Sequence, residues 1–154
     1  MSMADFPPVA DVLPHSGDMV LLSKILSHDA DETVCMAEVD RQALFRDAAG
    51  EVGAWLGLEF MAQCIGAHAG LAARGRGEDP TLGFLLGSRR VHFHCARYLR
   101  GQSLRVRASH RWGEAPGLVS FECSIEDAAT HACLAEGRLS CFLPEDASGL
   151  EEMP

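Results

Sequence analysis

VGAWLGLEFMAQCIGAHAGLAA, running from Val52 to Ala73, is the stretch on which the fold turns. It approaches the length of a membrane span, which needs about 20 apolar residues. Glu59, Gln63 and His68 lie inside it, however, and polar groups are expensive in hydrocarbon. A buried core helix accounts for the stretch better, with Gly75-Arg76-Gly77 as its stop signal. A helix that is apolar nearly all round must be covered on every side, and the chain offers no second helix to do it.

The flanks offer sheet instead. Upstream, Val9 to Leu13 has the makings of a short helical turn that Pro14 ends. Met19 to Leu26 and Thr33 to Val39 then read as two strands about an Asp29-Ala30-Asp31 turn, and Arg41 to Gly50 as a polar loop. Downstream, Leu82 to Arg97 and Ser103 to Trp112 are strand-like. In the second of these, Leu104, Val106 and Ala108 alternate with Arg105, Arg107 and Ser109. The cleanest alternation sets Val119, Phe121, Cys123 and Ile125 against Ser120, Glu122, Ser124 and Glu126, the signature of antiparallel sheet with one solvated face. A last strand is expected over about His131 to Leu143.

Two strands, one long helix, then several long strands make an α+β chain: the hot-dog arrangement, a curled antiparallel sheet wrapped around one central helix. The domain is expected over residues 9–143, after a flexible arm (1–8) and before an acidic tail (144–154). An open sheet edge predicts pairing with a second such subunit, a homodimer in the simplest case.

A net charge of −9 argues against general affinity for nucleic acid or anionic membranes. The six cysteines form no CxxC pair and alternate with apolar residues, which suits reduced thiols in a cytoplasm and gives a metal or disulfide role no support. Arg89, Arg90, Arg97, Arg100, Arg105, Arg107 and Arg111 crowd into one stretch, either as solvated strand faces or as a dock for an acidic carrier protein.

Glu59 needs the most explaining. Its neighbours Trp55, Leu56, Leu58, Phe60, Met61 and Ala62 are apolar. A carboxyl lodged among such groups is pushed towards its protonated form, which is what general acid catalysis requires. Alternatively it is an anion seated near a positive helix end. Gln63, one turn further on the same face, can orient that carboxyl or satisfy a nearby backbone group. Gly53, Ala54 and Gly57 either let a ligand carbonyl reach amide donors or pack closely against the sheet. His15, in the loop after Pro14, is a candidate acid or base. His92 and His94 share a strand face, but spacing suggests no third metal ligand. His68 lies on another face from Glu59, and His28, His110 and His131 carry no signal.

LPHSGDMVLL (13–22) together with LEFMAQ (58–63) resembles the 3-hydroxyacyl-carrier-protein dehydratases of type II fatty-acid synthesis, which carry an LPHR-type start and an EAMAQ-type helix. Through WLGLEFMAQ (55–63) and GFLLGSR (83–89) the chain is more closely similar to the ApeP-like dehydratases of aryl-polyene clusters, over about residues 9–143. The resemblance implies loss of water from a 3-hydroxyacyl chain held on the phosphopantetheine of an acyl carrier protein, with no separate cofactor, at a site across a dimer interface. Glu59 falls on the family's acidic position. The fatty-acid enzymes carry a catalytic histidine fourteen residues earlier, where this chain has Phe45. The expectation is therefore Glu59 as acid, His15 as base, Gln63, Gly53, Ala54 and Gly57 at the substrate, and Arg89 and Arg90 at the carrier. An acyl thioesterase using Glu59, or a noncatalytic partner of an active hot-dog subunit in a heterodimer, is the alternative.

Overall fold

A computed structural model describes residues 5–79, 84–115 and 117–142. Among the described residues, eight strands and one long helix follow one another as β1 (Lys24–His28), β2 (Glu32–Glu38), β3 (Val52–Gly53), α1 (Gly57–Gly75), β4 (Phe84–Phe93), β5 (Arg97–Tyr98), β6 (Ser103–Ala115), β7 (Leu118–Asp127) and β8 (Cys133–Phe142). Six of them form one antiparallel sheet in the order β1-β2-β6-β7-β8-β4. Helix α1 packs on β1, β2, β6 and β7, inside the curl of this sheet, which is the hot-dog fold. The alternation in the sequence sets the faces: Leu104, Val106, Ala108, Phe121, Cys123 and Ile125 are buried with Phe60, Met61, Cys64 and Ile65 of α1 in one continuous core. Cys35, Cys64, Cys123 and Cys141 are buried as small apolar residues; Cys133 is exposed. Among the described residues no helix is long and apolar enough to cross a membrane.

Several boundaries differ from expectation, two of them for a tertiary reason and one because of a local turn. The helix starts at Gly57, not Val52, because Val52 and Gly53 pair with Tyr98 and Arg97, and the Ala54 amide donates to the Ala96 carbonyl at 3.0 Å. Ala54 to Leu56 then form a 3-10 turn that leads into α1. The first strand starts at Lys24, not Met19. Gly17 to Met19 form a 3-10 turn, and the Met19 carbonyl and Leu21 amide are bonded by the Gln63 side chain instead of by a neighbouring strand. The last strand starts at Cys133, after a turn in which His131 takes a positive φ of 63°.

Among the described residues, helix α1 is also not covered all round. Leu58, Glu59, Ala62 and Gly66 make a half-buried stripe along it. The described part of the expected arm does reach the core, since Phe6 packs against it. Met1 to Ala4, the expected tail, and Leu82, Gly83 and Leu143 of the expected strands lie outside the described residues. β1 and β4 end the sheet order, and β4 is bent by bulges at Leu85/Gly87 and Arg89/His92.

Candidate functional site

The site is assembled by laying one loop along the helix. Gly70 faces the Val12 carbonyl so closely that a Cβ there would collide with it, and a Cβ on Gly66 would stand 3.0 Å from Leu13 Cδ2. These two small residues let Val12 and Leu13 lie against α1, both buried. Pro14 then turns the chain, and His15 comes over the first turn of the helix. Gln63, only 1% exposed, straps the rest of the loop. Its Oε1 accepts from the Leu21 amide at 2.9 Å, and its Nε2 donates to the Met19 carbonyl at 2.7 Å and, more weakly, to Glu59 Oε1 at 3.3 Å. Both roles open to this glutamine in the sequence are therefore filled at once.

This strap brings together the two candidate acid–base groups of one chain. His15 Nε2 lies 3.5 Å from Glu59 Oε1, with the side chains 31% and 39% exposed. The expectation that apolar neighbours enclose Glu59 is corrected: Leu56, Phe60 and Met61 turn into the core, and the carboxyl lies with Leu58 and Ala62 on the half-buried stripe, open to water. It is also the first-turn acid of α1, where the helix dipole favours an anion. His15 Nδ1 is buried without a partner among the described residues.

Gly53, Ala54 and Gly57 are engaged elsewhere. The Ala54 amide donates to Ala96, and that of Gly57 to the carbonyls of Ala54 and Trp55. A Cβ on Gly57 would run into the Tyr98 hydroxyl, and one on Gly53 into the Trp55 indole. Close packing therefore accounts for these small residues, and the amides of Ala54 and Gly57 are not free to hold a ligand carbonyl. Buried Tyr98 donates to the Ala54 carbonyl at 3.0 Å and so fixes the turn from which α1 and Glu59 emerge. Phe45 meets Trp55 edge-on, with ring centroids 6.0 Å apart. Trp55 is 61% exposed and Leu44 56%, an apolar outlook beside the helix start.

Five of the seven arginines in the stretch fall into two groups. Arg97, Arg105 and Arg107 pair with Asp47, Glu126 and Glu32. Arg89 and Arg90 are exposed on the β4 bulge, without an ion pair among the described residues, and Arg90 takes a φ of 54°. With His92, Glu136 and the ion pair of Arg138 with Glu122 they line a groove of about 290 Å³.

Sequence reasoning set His68 aside and missed the polar cluster that it joins. Buried His68 shares the Thr33 hydroxyl with His28, at 2.8 and 2.7 Å, and stacks on His110. Burial, reinforced by those two histidines, lowers the His68 pKa to about 4. No periodicity signals this cluster, because its members lie on β1, β2, α1 and β6 and meet only when the sheet curls.

The sequence profile of the ApeP-like family, ApeP dehydratase, matches residues 7–152. No curated protein sequence matches the chain. Among solved structures it is similar to the dehydratase heterocomplex ApeI:P from Xenorhabdus doucetiae, with 28% identity, a TM-score of 0.84, and coverage of 96% of this chain and 97% of that one. The fold alone is shared with zebrafish thioesterase superfamily member 2 (16% identity, TM-score 0.61, 88% and 89% covered). The same holds for a hypothetical thioesterase with coenzyme A from Streptococcus pneumoniae TIGR4 (12% identity, TM-score 0.59, 78% and 84% covered). With the profile running through β1 to β8 and the whole of α1, this chain belongs to the ApeP-like dehydratase family.

Proposed function

We propose that the protein dehydrates a 3-hydroxyacyl thioester carried on acyl carrier protein, in a polyene or fatty-acid-like pathway, and that the His15–Glu59 pair performs the step. The juxtaposition of the two side chains at 3.5 Å carries the reading. His15 takes the proton from C2, which the thioester carbonyl acidifies. The pair enters the step with one proton between its two members; with that proton on Glu59, the carboxyl gives it to the C3 hydroxyl, the C3–O bond breaks, and the C2–H electrons become the C2=C3 double bond as water leaves. The histidinium and carboxylate left behind are neighbours, so a proton passed between them restores the starting state. Gln63 holds the loop that carries His15 and contributes a donor to Glu59. Arg89 and Arg90 receive the acidic carrier. The six free thiols support a cytoplasmic setting.

A heterodimer with another hot-dog subunit is the second part of the proposal. The similar ApeI:P structure is a dehydratase heterocomplex, and here an exposed Leu44–Trp55 outlook, with Phe45 where the fatty-acid enzymes carry their histidine, stands beside the helix start. The test is mass spectrometry of acyl carrier protein loaded with a 3-hydroxyacyl chain, using the chain alone and with a candidate partner. Loss of the mass of water that depends on both His15 and Glu59 supports the reading. Water loss that survives Glu59→Gln and His15→Ala assigns the chemistry to the partner, and release of free acid makes the protein a thioesterase.

A further inference from the structure

A second set of ionisable side chains meets where β4 ends and β8 begins. His94 follows β4, and its amide donates to the Leu134 carbonyl at 2.9 Å. Within the same ladder Phe93 pairs with Ala135 and His92 with Glu136. The sheet thus fixes three donors of different chemistry next to one another: Cys133 Sγ donates to Glu136 Oε2 at 3.1 Å, His94 Nε2 lies 3.4 Å from the same oxygen, and all three ligand atoms fall within 4.8 Å. The His92 ring stacks on His94, with centroids 6.4 Å apart and planes within 16°, and backs its imidazole. Partial burial and the Glu136 carboxylate push the Cys133 thiol up to about 11, while its S–H and His94 hold Glu136 below the usual carboxyl range.

We propose that His94, Cys133 and Glu136 form a binding site for a single divalent transition-metal ion of zinc's character. Imidazole nitrogen, thiolate sulfur and carboxylate oxygen are the ligands that zinc takes, and three of them leave a fourth tetrahedral position open to solvent. Bonds of about 2.0 to 2.3 Å to a tetrahedral ion place its ligand atoms roughly 3.3 to 3.8 Å apart. Two of the three separations are already within a few tenths of an ångström of that range, and all three side chains are exposed and can close the remaining gap by side-chain rotation. On binding, the thiol proton passes to solvent, and thiolate and carboxylate together neutralise the two charges of the ion. Hard ions such as magnesium and calcium, which take oxygen ligands, are poorly served by this set. The site was invisible by spacing because His94 is 39 residues from Cys133 and the β4–β8 ladder alone joins them.

Cobalt(II) titration of the reduced, full-length protein tests the site, since a cobalt–thiolate bond has its own near-ultraviolet charge-transfer absorption. The expected result is a saturable band that zinc abolishes and magnesium does not. It should be absent from Cys133→Ser and shifted to at least roughly tenfold weaker affinity in His94→Ala and Glu136→Gln. Zinc should also slow alkylation of Cys133. A band of unchanged strength in Cys133→Ser, or affinity unchanged in His94→Ala, means adventitious binding and overturns the proposal. Because the three side chains are exposed, the variants are expected to fold, and their far-ultraviolet circular dichroism checks this. None of these readouts depends on dehydration.

Discussion

Two histidines meet helix α1, and they differ in their access to water. His15 reaches the first turn from a loop and stands beside Glu59 with both side chains about one-third exposed. His68 belongs to the helix itself, is 7% exposed, and has its Nδ1 on the Thr33 hydroxyl. The sealed imidazole is kept neutral by burial, and its one polar bond is internal. The open imidazole shares its contact with an acid that water can also reach. The same kind of side chain against the same helix is thus sealed into the core at one level and open to water at another, and the difference lies in what the neighbouring chain covers.

The largest effect should separate the two sites by activity. Glu59→Gln keeps shape and removes the ionisable proton, and turnover should fall by roughly 10²- to 10⁴-fold, the usual worth of general acid–base catalysis. His68→Gln should leave turnover within a few-fold when assayed where both variants are folded. Equal losses in the carrier-protein assay would erase the distinction.

Acid should separate them by stability. His68 titrates near 6.5 when unfolded and near 4 when folded. Between these values the unfolded chain binds the proton more readily, so stability is complete above about pH 6.5 and declines as pH falls towards 4. The gap corresponds to about 3 kcal/mol at most. His28 is shifted in the same direction, chiefly by burial, and adds to the trend. Urea midpoints measured across this range should fall with acid in the wild type and change less in His68→Leu; parallel curves would show that the buried imidazole is not the group responsible.

Gln63 links the open site to the core. Gln63→Met fills similar volume but leaves the buried Leu21 amide and the Met19 carbonyl without their partner. About 2 kcal/mol of stability should be lost, and turnover should fall with it as His15 loses its register over Glu59. Full activity in a destabilised Gln63→Met would mean that Val12 and Leu13, with the Gln42 bond to the Leu21 carbonyl, suffice to hold the His15 loop.

The sequence told more of the fold than of the site, for a physical reason. Alternation along β6 and β7 and the apolar run of α1 are local patterns, and burial enforces them, so sheet, helix and faces were legible. The start of α1 was not, because the pairing of Val52 and Gly53 with β5 depends on residues more than 40 positions away. Glu59 stood out as an acid among apolar neighbours, yet its exposure was misjudged: sequence neighbours on a helix point to different faces. The small residues that matter for the loop are Gly66 and Gly70, inside the helix, rather than those at its start. The clusters around His68 and Cys133 join several strands and had no signature in one dimension.

The smallest effect concerns the start of the helix, where ligand access and packing compete as reasons for Gly57. Alanine there gains up to about 1 kcal/mol of helix propensity, but its Cβ meets the Tyr98 hydroxyl and stands 3.0 Å from Ile125 Cδ1. Both partners are buried, so the collision should win and Gly57→Ala should be destabilising by about 1 kcal/mol net. Tyr98→Phe removes the offending oxygen and its bond to the Ala54 carbonyl, at a cost of about 1 kcal/mol. If packing selects the glycine, the double variant should be more stable than the two losses predict, by about 1 kcal/mol in a double-mutant cycle read by urea unfolding. Strict additivity would mean that the hydroxyl is not what excludes a side chain, and the first turn of α1, beside Glu59, would again need its glycine for something that approaches from outside.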